Sequence, residues 1–375
     1  DSGASVLQML PLAPTHRDGS PYHCLSVHAL NPLLLSVERL AEFAGPVTTP
    51  IDRDHYLDKA RTRLRRPQAA TQRAAFEDFC AAQAYWLDDF ALYCALRARY
   101  KGRPWWKWPA AVRERETSTL DAAATELTDA LDRTRLEQFL VAGQFADVRA
   151  HAHRRGVRLF GDMPIFVAHD SADVWTHRSY FKLDADGQPL VVAGVPPDYF
   201  SASGQRWGNP HYDWTRMQAD GFRWWQDRLA TELQRFDLIR IDHFRGFEAS
   251  WEIPATEPTA VNGRWVAVPG DALFASLEAR FGELPLVAED LGIITPEVTA
   301  LRRRHGLPGM LVLQFAFDGG PDNPYLPQHH VEDAVVYTGT HDNDTTLSWF
   351  MGLSETARQA VLDTLKTTEP MPRAL

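Results

Sequence analysis

Carboxylates follow four apolar runs of this 375-residue chain, each at the point where the run ends. The runs have the composition of buried strands, and their C-terminal ends carry Asp162, Asp242, Glu289 and Asp342. Unpaired charges are costly there unless the strand end opens into a site. The C-terminal strand ends of a (β/α)8 barrel form such a face. Carboxylates gathered at one face predict glycoside chemistry, which uses one carboxylate as nucleophile and another as acid/base.

The run at 236–246 is open to two interpretations. Arg240 and Asp242 lie two residues apart and so point to the same face of a strand, which also fits a purely structural ion pair. The three similar runs favour a site. A nearby cation is expected to keep Asp242 ionised, whereas burial is expected to raise the pKa of Glu289. Asp290 is a rival to Glu289, but strand neighbours face opposite ways, so only one of them enters the site.

Segments of helical and loop character separate the strand-like runs. Apolar residues recur at three- and four-residue steps over 76–100, which predicts an amphipathic helix with a structural role. Pro and Gly punctuate 194–214, which also carries amides and aromatics and is predicted to be a long functional loop. We predict one catalytic barrel domain over 1–375, with a helical insertion at 45–150 and a loop subdomain at 168–215.

Composition excludes several classes of protein. The net charge of −10 argues against a nucleic-acid partner, whose backbone calls for clustered Lys and Arg. The three cysteines are too few and too irregularly spaced for a disulfide framework, which favours a reducing compartment. No apolar run approaches the length of a membrane span, and the first residues lack the features of a signal peptide. The sequence therefore predicts a cytoplasmic protein with no membrane contact.

Several motifs resemble one family when taken together. They are RIDHFRGF, AEDLG and GTHDN in this order, with GDMPIFV at 161–167, VAGVPPDYFSASGQRWGNPHYDW at 192–214 and SPYHCLSVHALNP at 20–32. The set resembles the amylomaltases, the 4-α-glucanotransferases of glycoside hydrolase family 77, which are relatives of the α-amylases. The resemblance runs from about residue 7 to about residue 349.

The resemblance implies an α/β fold, a (β/α)8 TIM barrel of the α-amylase type. By that match the chain starts at the second strand and stops soon after the seventh. The first strand and the last βα unit are then missing, and the barrel is incomplete. An incomplete barrel exposes unpaired edges, which predicts self-association.

The resemblance also implies residue roles. Asp242 is the nucleophile, Glu289 the acid/base, and Asp342 holds sugar hydroxyls. Retention of configuration predicts that the carboxyl groups of Asp242 and Glu289 lie roughly 5–5.5 Å apart. The substrates are maltooligosaccharides or starch-type α-1,4-glucans, and neither a metal nor an organic cofactor is required. The expected substrate contacts are Tyr22, Asp162, Gln205, Trp207, Arg240, His243 and His341.

Two other functions remain open from the residues alone. One is an α-1,4-glucan hydrolase of the α-amylase group, because no residue separates transfer to a sugar from transfer to water. The other is a glucan-binding fragment without turnover, in which Tyr22 and Trp207 stack on sugars.

Overall fold

The computed structural model describes residues 3–41, 52–198, 201–317 and 319–366. Parts of two predicted segments, 45–51 and 199–200, therefore lie outside the described residues. The strands are β1 Val6–Gln8, β2 Arg158–Met163, β3 Val191–Val195, β4 Gln205–Pro210, β5 Leu238–Ile241, β6 Ala249–Pro254, β7 Arg264–Ala267, β8 Leu286–Ala288, β9 Gly309–Val312 and β10 Ala334–Tyr337. The helices are α1 Arg53–Leu64, α2 Ala70–Arg99, α3 Ala110–Arg113, α4 Thr117–Glu126, α5 Thr128–Arg154, α6 Ala172–Thr176, α7 Trp214–Ala219, α8 Arg223–Arg235, α9 Gly270–Phe281, α10 Pro296–Arg304, α11 Thr346–Gly352 and α12 Glu355–Leu365.

Parallel strands form the wall of the barrel. β1, β2, β5 and β8 pair in that order, and β9 pairs with β10. The backbone N–H of Ala288 donates to the carbonyl of Pro308 at 2.8 Å and so joins β8 to the segment that enters β9. Helices α5, α8, α9 and α10 precede β2, β5, β8 and β9. The described residues thus form an incomplete (β/α)8 barrel with six strands, as the sequence predicts.

Apolar side chains fill the barrel because β2, β5 and β8 are largely buried on both faces, whereas β1 and β10 are more exposed. Phe160, Val287 and Met310 pack together inside, against Val6 and Tyr337. A larger core lies between the strands and the surrounding helices. This packing holds the C-terminal ends of β2, β5 and β8 at one face.

A second, antiparallel sheet contains part of the segment 194–214, so the prediction of a continuous loop there was wrong. Its strand order is β4-β3-β6-β7, so that residues 205–210 are a strand rather than irregular chain. Gly194, one of the residues that suggested a loop, is instead needed for the pairing of two strands of this sheet. A Cβ on Gly194 would lie 2.1 Å from the carbonyl oxygen of Gln205, so only Gly allows β3 to approach β4 this closely.

Helices α1 to α5 form the segment between β1 and β2. α2 begins at Ala70, six residues before the predicted start at Phe76, and packs against α5. Trp105 and Trp108, which follow α2, are buried as packing residues. In the part of the chain that the structure describes, none of the helices has the length and apolar content needed to span a bilayer.

Candidate active site

Arg240 is the centre of a buried charge network at the strand ends. The register of β2 and β5 places Asp162 directly opposite Arg240. The Nη1 of Arg240 donates to both carboxylate oxygens of Asp162 at 2.8 Å, and its Nη2 donates to the Oδ1 of Asp242 at 2.9 Å. Asp162 and Arg240 are each only 3% exposed. A charge-assisted bond of this kind fixes the carboxylate geometry as well as its charge.

Tyr22 ties the first loop of the chain to this network. Its hydroxyl donates to the Oδ2 of Asp162 at 2.6 Å and lies 2.8 Å from the Nε2 of His341. A phenol has only one proton, so Nε2–H of His341 is the donor in the second bond. Burial and the charge of Asp162 raise the pKa of Tyr22 well above its usual range. Tyr22 therefore stays neutral and links the β2 end to the loop after β10.

Glu289 is held by the backbone of the turn that follows Asp242. The N–H of His243 donates to its Oε2 at 2.8 Å, and the N–H of Leu291 donates to its Oε1 at 3.0 Å. The main chain is paired as well, because Glu289 N–H donates to the carbonyl of Ile241 and Phe244 N–H donates to that of Glu289. The carboxyl group thus has a fixed position beside the end of β5.

Asp290, the rival carboxylate, has a structural role in this arrangement. It accepts a hydrogen bond from the backbone N–H of Met310 at 2.8 Å and lies 3.1 Å from the Nε of Arg302. A Cβ on Gly309 would contact its carboxylate at 2.6 Å, so the side chain points toward β9. Glu289 alone of this pair is held at the turn after Asp242.

Burial changes the acidity of both central carboxyl groups. It is the largest cause that raises the pKa of Asp242 to about 6, and the charges of Asp162 and Asp342 act in the same direction. Arg240 lowers the pKa of Asp242, as the sequence predicts, but burial outweighs this attraction. Burial and then the charge of Asp242 raise the pKa of Glu289 to about 7, the direction expected for an acid.

Asp342 lies in the loop after β10 with its side chain 73% exposed. Its Oδ1 is 3.3 Å from the Nε2 of His341, and its charge contributes to the raised pKa of Asp242. The side chain of Asn343 accepts hydrogen bonds from the backbone and hydroxyl of Thr340 at 2.9 Å and closes the turn. His341 and Asp342 therefore stand at the same face as Arg240, with Asp342 open to solvent.

Gln205 and Trp207 approach the site from strand β4. The Nε1–H of Trp207 donates to the Oε1 of Gln205 at 3.0 Å. The indole meets the imidazole of His243 edge to face, with ring centroids 4.9 Å apart and planes at 87°. Trp207 is still 39% exposed, which leaves ring surface available beside the catalytic turn.

An open cleft lies on the other side of the network. Its volume is ≈ 300 Å³, and its wall includes Gln8, Met9, Arg240, Thr340 and His341. It lies between the ends of β1 and β10, and Arg240, although only 3% exposed, forms part of its wall. The predicted site residues therefore lie at a face with an aromatic wall on one side and, on the other, an open cleft lined by both polar and apolar residues.

The backbone donors to Glu289 were not predicted from the sequence. The N–H groups of His243 and Leu291 bind both carboxylate oxygens, yet backbone groups leave no trace in residue types. His243 was predicted from the motif as a side chain that binds hydroxyls. The structure adds its main chain to the site.

This geometry suits displacement at an anomeric carbon. One carboxyl group is bound by a cation and the other has the higher pKa, which is the division between a nucleophile and an acid/base in retaining glycosidases. Sequence comparison gives the family. Residues 1–374 match glycoside hydrolase family 77, described as 4-alpha-glucanotransferase. The chain belongs to this family.

Individual relatives agree with this membership. The chain is 48% identical over 367 residues to the 4-alpha-glucanotransferase of Thermus thermophilus, covering 93% of this chain and 73% of the relative. It is 45% identical over 386 residues to that of Synechocystis, covering 97% and 76%. The amylomaltase from Streptococcus agalactiae, solved in complex with acarbose, matches with a TM-score of 0.90 at 31% identity, covering 98% of this chain and 79% of that one. These matches favour glucan transfer over the hydrolase alternative.

Proposed function

We propose that the chain transfers segments of α-1,4-glucan between maltooligosaccharides by a retaining double displacement. Asp242 attacks the anomeric carbon of the donor, and the glycosidic C–O bond breaks as the C–O bond to Asp242 forms. Glu289 gives its proton to the departing oxygen. In the second step, Glu289 takes the proton of an acceptor 4-hydroxyl, whose oxygen displaces Asp242 and restores the α configuration.

The observation that carries this proposal is that only Asp242 of the two central carboxyl groups is hydrogen-bonded to a cation in the described residues, although burial raises the pKa of both. Asp242 receives a hydrogen bond from the Arg240 guanidinium, which favours its ionised form. Glu289 has no cation bound to it in the described residues, and burial favours its protonated form. A nucleophile and an acid are thus held ready in one site.

The remaining site residues divide between donor and acceptor sugars in this proposal. Tyr22, Asp162 and His341 lie beside the cleft between β1 and β10, and we assign them to the donor sugar together with Asp342. Gln205, Trp207 and His243 lie beside Glu289, where the leaving group departs and the acceptor enters. Hydroxyl groups bind to the polar side chains, and apolar sugar faces stack on the aromatic rings.

Incubation of the purified chain with maltotriose tests the proposal. Glucose together with maltopentaose and longer chains is the expected product pattern. Asp242→Asn and Glu289→Gln keep the shape of each side chain and are expected to abolish it. Glucose and maltose without longer chains would favour the hydrolase. No product from folded protein that still binds acarbose would leave a glucan-binding fragment.

Location and assembly complete the proposal. We place the protein in the cytoplasm because Cys24, Cys80 and Cys94 are all free, as expected in a reducing compartment. Two relatives from plants are named as chloroplastic or amyloplastic, so the compartment differs within the family. We also propose that the chain associates with itself through the unpaired edges of β1 and β10.

A further inference from the structure

Main-chain hydrogen bonds connect the turn after Asp242 to Glu289, the proposed acid/base. Three backbone hydrogen bonds join residues 241–244 to Glu289. Two extend the strand pairing, at 2.9 and 3.0 Å, and the third runs from His243 N–H to the carboxyl oxygen Oε2 at 2.8 Å. The third bond is the one that can set the direction of the Glu289 side chain.

His243 makes this bond from an unusual backbone conformation. Its φ is 49° and its ψ is 52°, which is the left-handed region that most residues avoid. Of the other non-glycine residues with positive φ in the described part of the chain, Lys101, Arg115 and Lys366 follow helix ends, where this conformation is common, and Phe222 directly precedes helix α8. His243 follows strand β5 and directly precedes a short 3-10 helix, Phe244–Phe247, so it does not close the C-terminal end of a helix.

Packing and a turn hold His243 in this conformation. Its imidazole meets Trp207 edge to face, and its carbonyl accepts a hydrogen bond from Gly246 N–H at 2.9 Å. Burial lowers the pKa of His243 to about 4, so the ring is neutral at neutral pH and packs as an aromatic group. A Cβ on Gly246 would lie 3.1 Å from the imidazole, which shows how closely the turn is folded.

We propose that His243 is a positioning residue whose left-handed backbone aims its N–H at Glu289 and so orients the carboxyl group for proton transfer. The inference rests on the proposed role of Glu289 as acid/base. That group must lose and regain a proton in every cycle. Burial favours its acid form, whereas a backbone N–H donor favours its ionised form, so the donor helps Glu289 to act as a base when the acceptor sugar arrives.

Three substitutions at His243 distinguish the effect of its backbone conformation from the effect of losing the imidazole ring. His243→Gly and His243→Asn both tolerate the left-handed conformation, whereas His243→Val, with a β-branched side chain, opposes it. All three lack the imidazole, so any loss of sugar contact or of water exclusion by the ring is common to them. The difference between Val and the other two reports the backbone alone.

The measurement is the pH dependence of kcat/KM for maltotriose, whose alkaline limb reports the free-enzyme acid. We expect His243→Val to move this limb to higher pH and to reduce kcat about 10- to 100-fold below the Gly variant. The alkaline limb is expected to fall at the same pH in the Gly and Asn variants. Ala opposes the left-handed conformation less than Val does, so His243→Ala should give a kcat and an alkaline limb between those of the Val and Gly variants. It replaces the Val variant in this comparison if the Val variant does not fold.

Two results would overturn the inference. One is an identical profile for the Val and Gly variants, which would leave His243 with a side-chain role only. The other is a shift of the Val limb toward lower pH, which would mean that water enters the site rather than that a donor is lost. Failure of the unsubstituted protein to make longer chains would reject the proposed function instead, so the two failures are distinguishable.

Discussion

At the scale of single residues, charge balance around Arg240 decides the chemistry. The guanidinium of Arg240 forms ion pairs with both Asp162 and Asp242. Its charge also opposes the rise in the pKa of Glu289 that burial causes. The negative charges of Asp162 and Glu289 lie on either side of Asp242 around this one cation, and neighbouring carboxylates repel one another. Burial and the charge of Asp242 raise the pKa of Glu289, which favours its protonated form, whereas Arg240 is hydrogen-bonded to Asp242 and favours its ionised form.

The first prediction concerns the pH dependence of transfer. Activity needs Asp242 ionised and Glu289 protonated. As pH falls through about 6 the nucleophile gains a proton, and as pH rises through about 7 the acid loses one. We expect a narrow bell-shaped profile of kcat/KM with its maximum between these values, measured by release of glucose from maltotriose. A plateau that extends well into the alkaline range would contradict the assignment of Glu289.

The second prediction concerns the buried ion pair. Arg240→Met leaves the carboxylate of Asp162 buried without its cation, which is expected to lower the free energy of unfolding by about 3–5 kcal/mol. Urea denaturation followed by tryptophan fluorescence measures the loss. Adding Asp162→Asn to that variant removes the unpaired charge and should recover part of the stability. If Asp162→Asn gives no recovery, the loss comes from packing rather than from charge.

Residue types predicted the charged groups of the site but not the way in which they are held. A charge at the end of an apolar run is visible in the sequence, which is how Asp162, Asp242 and Glu289 were found. The bond between Tyr22 and His341 joins residues 319 positions apart, and no local pattern records it. The left-handed backbone of His243 was not predicted either, and its imidazole packs against Trp207, whose own strand was not predicted.

At the scale of elements, the close packing of β2 against the start of β5 sets the site. Gly161 lies between Phe160 and Asp162 on β2. A Cβ there would come within 2.3 Å of the ring of Phe236, the buried residue just before β5. The absence of a side chain at 161 therefore allows the ring to lie over the strand that carries Asp162.

The third prediction tests this contact. Gly161→Ala overpacks the strand and is expected to destabilise the protein by about 1–3 kcal/mol, measured by thermal unfolding. Phe236→Leu, in the same chain, makes room and should restore part of the loss. Gly143→Ala is the matched control, because Gly143 lies within helix α5 with nothing within 4 Å of an added Cβ. That control should be neutral or stabilising, as expected for Ala in a helix.

Strands that coincide with a clear hydrophobic pattern were predicted well, whereas a strand that depends on pairing with a distant segment was not. β2, β5 and β8 match apolar runs because these parallel strands are largely buried on both faces, and the partly exposed β10 also matches an apolar run. β4 was predicted as part of a loop, since Gln205–Pro210 contains Gly and Pro and lacks alternation. Its pairing with β3, through an irregular register, is a tertiary interaction that overrides local preference.

At the scale of the whole molecule, the barrel wall formed by the described residues is open between β1 and β10. In the described residues, β1 pairs only with β2 and β10 only with β9. Leu7 on β1 is 54% exposed and Val336 on β10 is 47% exposed. Unpaired strand edges with exposed apolar residues are templates for pairing with another chain. The cleft beside Arg240 lies between these same strands, so the proposed self-association and the proposed donor site would share one region.

The fourth prediction follows from this shared region. We expect the mass measured by light scattering to rise with protein concentration, and Leu7→Lys with Val336→Lys to suppress the rise, because charges on an edge oppose pairing. Leu33→Lys is the control, since Leu33 is 76% exposed but lies in a short turn away from both strands. A constant mass, or equal suppression by the control, would contradict association through the edges.

Activity distinguishes association through these edges from association elsewhere. A second chain paired to β1 or β10 would cover the cleft lined by Arg240 and His341, where the donor sugar is proposed to bind. Turnover per chain should then fall as concentration rises, and the Lys variants should remove the fall. Saturating acarbose should also lower the mass, because inhibitor and partner would compete for one region. Turnover that stays constant while mass rises would place the contact on another surface and leave the open side of the barrel free for substrate.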